Sequence, residues 1–302
     1  MALSFRREAA VDYGRLETVA PGLRRIVARN PSPYTLHGTG TYVIGAGSVA
    51  VIDPGPADDA HVEALLSGLA GERISHILVT HTHLDHSPAA RLLSRQCEAP
   101  IWGCAPHPAL DDGFTGEAGG DIGYRPDREL LDGDVIVGAD WSIDVIHTPG
   151  HTSNHLCFGL APLGYLFTGD HAMGWSTSVV SPPDGDMRAY MASLLRLAER
   201  QDRIAFPTHG PAIESPQAWM RELHAHRVER EAMVVGALQS GLDRIGAIVE
   251  RIYPGLDPRL VRPAGRTTWA HLRKLVDEGR AISTDADLRP ASASPEARYR
   301  LA

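Results

Sequence analysis

The sequence predicts an α/β protein in which one β-sheet packs on another, with a small helical unit appended at the C-terminal end. Three observations predict it. Short apolar runs bounded by Gly and Pro recur from residue 23 to residue 211 and fall into two β-rich blocks. Each block ends in histidines and aspartates set at the mouths of strands. Beyond Gly210-Pro211 the pattern turns helical and strand signals almost vanish.

In the first block, residues 41–45 and 48–53 read as antiparallel strands around a Gly-Ala-Gly turn. Residues 58–69 have helical period, with Val62, Leu65, Leu66 and Leu69 on one face. Residues 74–80 form an apolar strand that runs straight into a histidine cluster. A helix over 88–94 follows, with Ser87 as N-cap and Pro88 at the first helical position. Residues 111–123, Gly-rich and acidic, read as a surface loop. The second block offers strands at 134–138, 141–147, 155–159, 165–168 and 203–207, with a helix over 187–200. The helical region begins with a long amphipathic helix, 216–240, and continues with shorter ones at 242–252, 258–261 and 267–278. From residue 285 the chain is Ser/Ala/Pro-rich and reads as disordered. The predicted domains are therefore 1–214, 215–284, and a tail 285–302.

A chain of 302 residues accommodates one large and one small domain. Its 43% hydrophobic and 22% charged residues are those of a soluble globular protein. A net charge of −8 argues against a protein built as a whole to wrap nucleic acid. Cys97, Cys104 and Cys157 include no C-x-x-C pair, so buried reduced thiols are expected rather than a disulfide framework or a cysteine zinc site. No apolar run approaches the ~20 residues of a membrane span, and residues 1–8 lack the apolar core of a signal peptide. These features predict a cytoplasmic protein without a membrane partner.

The chemistry is concentrated in Thr80-His81-Thr82-His83-Leu84-Asp85-His86-Ser87. At a strand end, His81 and His83 are two apart and project to one side, where both can offer a ring nitrogen to one cation. The chain then turns towards a helix, which brings Asp85 and His86 close by in a different direction, suited to a second cation beside the first. Two cations need more donors than this motif holds. Further candidates stand at strand-to-loop junctions: Pro149-Gly-His151-Thr-Ser-Asn-His155, Thr168-Gly-Asp170-His171, and Thr208-His209-Gly-Pro.

Taken in order, His-x-His-x-Asp-His, Pro-Gly-His-Thr, Thr-Gly-Asp and His-Gly-Pro resemble the metallo-β-lactamase superfamily over about residues 23–211. The resemblance implies a four-layer αββα sandwich. It implies that His81, His83 and His151 hold one metal ion, that Asp85, His86 and His209 hold a second, and that Asp170 bridges them. It further implies a metal-bridging hydroxide as nucleophile, with Asp85 orienting it. Asp53, in Val-Ile-Asp-Pro-Gly, matches the family's early structural aspartate. Zinc is the expected metal, with manganese or iron compatible with the same donors. His37, His61, His76, His107, His155, His171, His224 and His226 read as surface or structural, with His171 a candidate to line the pocket; His147 reads as strand-end structure.

Within the superfamily, exported β-lactamases usually place cysteine in the second metal site, which this chain does not. Glyoxalase II shares all seven ligands but has a different C-terminal domain. Residues 215–282, with Ile248-Val-Glu-Arg-Ile-Tyr-Pro-Gly and Thr268-Trp-Ala-His-Leu-Arg-Lys, resemble the winged-helix extension of the β-lactamase-like protein 2 family. Trp175, Ser176 and Tyr190 are candidate substrate contacts. The predicted function is hydrolysis of a small thioester, ester or lactone. The alternatives are an endonuclease for single-stranded RNA or DNA, a mononuclear iron persulfide dioxygenase, and a DNA-binding regulator. Nucleic acid is not favoured as a partner, because acidic residues interleave the basic ones of the C-terminal region; a homodimer is compatible with the sequence.

Overall fold

A computed structural model describes residues 3–6, 11–106, 119–283 and 296–302. The first sheet has seven strands in chain order: β1 (Glu17–Ala20), β2 (Leu23–Val27), β3 (Gly40–Ile44), β4 (Ser48–Ile52), β5 (Arg73–Val79), β6 (Ile101–Gly103) and β7 (Arg128–Glu129). Its early pairings are antiparallel and those from β4 onward are parallel. Parallel pairs need crossovers, and helices α1 (Asp59–Gly68) and α2 (Ala89–Cys97) supply them on either side of β5. The second sheet holds β8 (Val135–Val137), β9 (Ser142–His147), β10 (Leu156–Leu160), β11 (Tyr165–Gly169) and β12 (Ile204–Pro207), ordered β12-β11-β10-β9-β8. Helix α3 (Met187–Ala198) is the crossover between the parallel strands β11 and β12.

The two sheets bury one apolar core between them, in which residues of β2–β5 meet residues of β8–β12. Tyr42 ties the layers: its ring packs on Phe167 and Phe206, and its hydroxyl donates to the Pro207 carbonyl at 2.7 Å. Buried aromatic side chains of this size each contribute about 1.5–3 kcal/mol by leaving water. A second core lies under α3, on the other face of β9–β12. The order helix, sheet, sheet, helix is the predicted αββα sandwich.

The C-terminal region consists of α4 (Pro216–Gln239), α5 (Ile245–Ile252), α6 (Pro258–Asp277) and a two-stranded ribbon, β13 (Ala281–Ser283) with β14 (Tyr299–Leu301). It has its own core around Ile248, Trp269, Leu272, Leu275 and Tyr299. Helix α4 also packs along α3, through Met220 and Leu223 in the second core. Among the described residues no helix is long and apolar enough to cross a membrane. Cys104 and Cys157 are buried, Cys97 is half-buried, and all three are unpaired thiols.

The structure departs from the sequence reading in four places. Residues 258–277 form one helix rather than two, because Pro263 removes only the bond to the Arg259 carbonyl, which lies in an exposed first turn. Ser87 does not cap α2; its hydroxyl donates to Asp121 at 3.1 Å, and Pro88 occupies the cap position without a side-chain bond. The tail predicted as disordered ends in β14, where Tyr299 is buried and its N–H donates to the Asp243 carbonyl. Low-complexity composition up to residue 295 masked that short strand signal. The predicted surface loop 111–123 and His107 lie outside the described residues as far as residue 118. Its last part pairs instead with the histidine motif, through a bridge between Gly120 and His83 and a bond from Asp121 N to the Thr82 carbonyl.

Tyr299→Ala is expected to cost about 3–5 kcal/mol of C-terminal stability, the usual range for emptying a buried aromatic site. Urea unfolding followed by circular dichroism measures this; an unmoved transition would show that β14 is not part of the folded unit.

Candidate metal centre

The site lies along one edge of the sandwich, where strand ends converge. His81, His83, Asp85 and His86 follow β5; His151 sits in the β9–β10 turn; Asp170 follows β11; His209 follows β12. The turn that presents His151 depends on Gly150, with φ +139, where a Cβ would lie 2.3 Å from the Tyr190 backbone. Only glycine meets both demands.

Two groups of donor atoms form. His81 Nε2 lies 2.9 Å from His83 Nδ1, and His151 Nε2 lies 3.1 Å from the same atom. His209 Nε2 lies 3.2 Å from Asp85 Oδ2, and His86 Nε2 lies 3.7 Å from it. Asp170 reaches both groups: its Oδ2 is 3.4 Å from His86 Nε2 and 3.8 Å from His151 Nε2, and its Oδ1 is 3.4 Å from His209 Nε2. Donors around one tetrahedral zinc ion stand about 3.4 Å apart, so these separations suit a pair of small divalent cations.

The second ring nitrogen of four histidines fixes which nitrogen faces the site. His86 Nδ1 donates to Asp53 Oδ2 at 2.9 Å, His151 Nδ1 to the Val179 carbonyl at 2.6 Å, and His209 Nδ1 to the Gly38 carbonyl at 3.1 Å. His81 Nδ1 donates to Thr80 Oγ1 at 3.0 Å, because that hydroxyl spends its own proton on Asp53. In the neutral ring each Nε2 is therefore the nitrogen that turns its lone pair inward. In the first group two such lone pairs face one nitrogen of His83, which can give a proton to only one of them.

Electrostatics make the same demand. Burial drives His81 well below the usual imidazole range, with His86 and His83 adding repulsion, and it pushes His83 down to about 3. In the second group burial is overruled. The carboxylates of Asp170 and Asp85 raise His209 to about 10, and with Asp53 they raise His86 well above its usual range. Burial opposes ionisation of Asp85 and Asp170, yet His86 and His209 hold both carboxyls well below the usual range. Asp85 Oδ1, His86 Nε2, Asp170 Oδ1 and His209 Nε2 are nevertheless buried without a hydrogen-bond partner. Four orphaned donors and acceptors in one place are costly unless a cation satisfies them, so the residues fit a metal centre. His81, His83 and His151; His81, His86 and Asp170; and Asp85, His86 and His209 each have ligand atoms within 4.8 Å of one another.

All seven residues singled out in the sequence as ligands are thus brought together, with Asp53 behind them. Trp175 and Ser176 line a cavity next to the C-terminal helices. Tyr190 does not serve as the substrate contact the sequence suggested; it is fully buried, its ring 4.6 Å from that of His171 and its hydroxyl bonded to the His171 carbonyl. Its place on the apolar face of α3 is the physical reason. The sequence reading gave Asp53 as a structural partner and His155 only as surface or structural, and it missed the bonds that make the rest of the supporting layer. His155 accepts a bond from Asp170 N at 3.2 Å and packs 5.0 Å from the His81 ring. Thr80 and Thr208 bond Asp53, and Asn154 bonds Thr82. The spacing His151-x-x-x-His155 carried a signal, whereas the carbonyls of Gly38 and Val179 carry none in sequence.

Two outcomes are expected. Asp53→Ala removes the acceptor that fixes His86 and is expected to weaken cation affinity about 10–100-fold, measured by chelator competition. Proton release tests the second group. The carboxylates of Asp170 and Asp85 raise His209 to about 10 and raise His86 as well, so without metal both favour the protonated form. A cation displaces those protons, and affinity falls as pH falls, about tenfold per unit for each proton. Calorimetric titration with zinc in buffers of differing ionisation enthalpy is expected to show about two protons released per chain. Uptake without proton release would mean that the cation binds elsewhere.

Comparison with known proteins agrees with this geometry. Residues 34–209 match the family described as the metallo-beta-lactamase superfamily, and residues 245–289 match the beta-lactamase associated winged helix domain. The chain is 32% identical over 238 residues to the lactamase-like protein adaB of Aspergillus niger, covering 77% of this chain and 68% of that protein. It is 31% identical over 235 residues to an atrochrysone carboxyl ACP thioesterase of Aspergillus fumigatus, covering 76% and 69%. A beta-lactamase domain protein from Burkholderia ambifaria has the same fold, with a TM-score of 0.79 at 23% identity over 97% of this chain and 96% of that one. The chain belongs to the metallo-beta-lactamase superfamily, with a beta-lactamase associated winged helix domain after its catalytic sandwich.

Proposed function

We propose that the protein is a binuclear metal-dependent hydrolase of thioesters. The single observation that carries the reading is the completed second donor group, Asp85, His86 and His209, beside His81, His83 and His151. A one-metal dioxygenase has no use for it. The thioester class is supported by relatives named as acyl carrier protein thioesterases, which are about 30% identical over most of the chain. The absence of a cysteine ligand and the C-terminal helical domain both set the chain apart from antibiotic-degrading enzymes.

His81, His83 and His151 would hold one divalent cation and Asp85, His86 and His209 the other, with Asp170 between them. Zinc is proposed, and manganese or iron suits the same nitrogen and oxygen donors. Such cations supply a nucleophile from water at neutral pH and a positive field for the developing oxyanion. The chain's own contribution is orientation. Asp53, Thr80, Gly38 and Val179 lock the imidazoles in one tautomer. Asp85 Oδ1 is a buried acceptor with no protein partner, suited to hold the proton of an attacking water. His155 fixes the backbone of Asp170, so the spanning carboxylate keeps its place.

The test is hydrolysis of acyl thioesters of N-acetylcysteamine by zinc-loaded protein. Activity is expected to vanish on chelation, and His83→Ala or Asp170→Ala should retain less than about a tenth of it. Turnover above that level in either variant would remove the assignment. Salt-sensitive cleavage of single-stranded RNA without thioester turnover would transfer the protein to the nucleases.

A further inference from the structure

A cavity of about 260 Å³ lies between the sandwich and the C-terminal helices. Trp175 and residues 176–179 form one wall, Pro33 and Tyr34 another, and α4, α6 and the turn between α5 and α6 close it through Arg227, Leu260, Ala264 and Tyr253. Two of its walls are the segments that hold metal ligands. Val179 bonds His151 through its carbonyl, Ser178 Oγ donates to the Asp170 carbonyl, and Gly38, four residues beyond Tyr34, bonds His209. The cavity is therefore walled in part by residues that bond His151 and Asp170, one residue layer behind the ligands themselves.

Its chemistry is selective. Most of the wall is aromatic or aliphatic, and among the described residues no aspartate or glutamate lines it, in a chain of net charge −8. Arg227 is only 2% exposed. One Nη donates to the Ser178 carbonyl and the guanidinium lies 5.3 Å from the Tyr190 ring, but Nε has no partner. Among the described residues no carboxylate pairs with Arg227. Glu231, one turn further along α4, is engaged by Lys274 and Arg280 instead. His226, the other basic side chain of the wall, is pushed down to about 4 by burial and by Arg227 and so adds no charge at neutral pH. A buried guanidinium without a counter-ion is costly to maintain, and an anion arriving with an apolar group would offset that cost.

We propose that this cavity is the acyl subsite, and that it takes an aromatic acyl group bearing an anionic substituent, a carboxylate or phenolate, which Arg227 receives. Aromatic rings stack on Trp175 and Tyr253, and the volume fits one or two fused rings. The identification of the ligand as an acyl group rests on the thioesterase reading; the binding preference does not.

Two measurements test it. Binding of 2-naphthoate and of neutral 2-naphthamide is followed by tryptophan fluorescence, with zinc-loaded and with chelated full-length protein. Naphthoate is expected to bind at least about tenfold more tightly than the amide in both states, the usual worth of one charge-assisted bond. Arg227→Met should abolish the preference, Arg227→Lys should restore part of it, and Ala264→Phe should weaken both ligands. Kinetically, the 4-carboxybenzoyl thioester of N-acetylcysteamine should exceed the benzoyl thioester in kcat/KM by about the same factor, and the two should converge in Arg227→Met. Naphthoate binding that disappears on chelation would put the anion on the metal ions and overturn the subsite. Equal turnover of the two thioesters by the unaltered protein would do the same while leaving the thioesterase reading intact. Selective naphthoate binding to chelated protein without turnover of either thioester would remove that reading and keep the subsite.

Discussion

The carboxylate of Asp53 is the constraint on which the rest of the centre depends. It is fully buried and accepts four bonds: from Thr80 N and Thr80 Oγ1 at 2.8 Å, and from His86 Nδ1 and Thr208 Oγ1 at 2.9 Å. Those partners follow β5 and β12, strands of different sheets. One side chain thus joins the ends of two sheets, fixing His86 directly and holding Thr208 beside His209. Asp53 has a positive φ of 47, a conformation that costs an L-residue about 1–2 kcal/mol and that Asp tolerates better than most. The four bonds hold it there. Its charge is matched by dipoles and by an imidazole proton rather than by a basic side chain, which leaves His86 Nε2 free to face the site.

The site is built as a charge imbalance awaiting cations. Asp85 and Asp170 bring two negative charges into a largely buried space, where each has one oxygen that no other protein group satisfies. Without metal, protons on His86 and His209 take up that charge; the same carboxylates that attract those protons would attract a divalent cation more strongly. The first group behaves differently. Burial and neighbouring imidazoles hold His81 and His83 well below the usual range, so these two stay neutral and ready to donate lone pairs. Two groups a few ångströms apart therefore differ in how protons compete for them, and Asp170, in reach of both, couples their occupancy.

Most of this was legible in the sequence, for a physical reason. Ligands at strand ends must come from fixed spacings, and His81, His83, Asp85 and His86 carry that spacing in six residues. The αββα layering was legible because β-runs and crossover helices have distinct periods. What stayed hidden depends on tertiary contact. The carbonyls of Val179 and Gly38 orient two histidines, yet a backbone carbonyl has no residue signature. Tyr190 was misread because an aromatic on an amphipathic helix looks the same in sequence whether its face meets a pocket or a core. Tyr299 was lost in a stretch whose composition predicts no structure, although three residues suffice to complete a ribbon.

The helical appendage earns a role from where it touches the sandwich. A domain serving only to bind a distant polymer would need little contact with the catalytic unit, but α4 packs along α3 and inserts Arg227 beneath the segment that carries Val179. Among the described residues that arginine has no ion-pair partner, since the carboxylate of Glu231 one turn away is committed to Lys274 and Arg280. Replacing it by an apolar residue would avoid the desolvation penalty altogether. A buried charge kept at such expense, next to a backbone carbonyl that orients His151, makes most sense where the ligand itself completes the pair. On that view the C-terminal domain selects what reaches the metal centre, and the sandwich holds the groups that react.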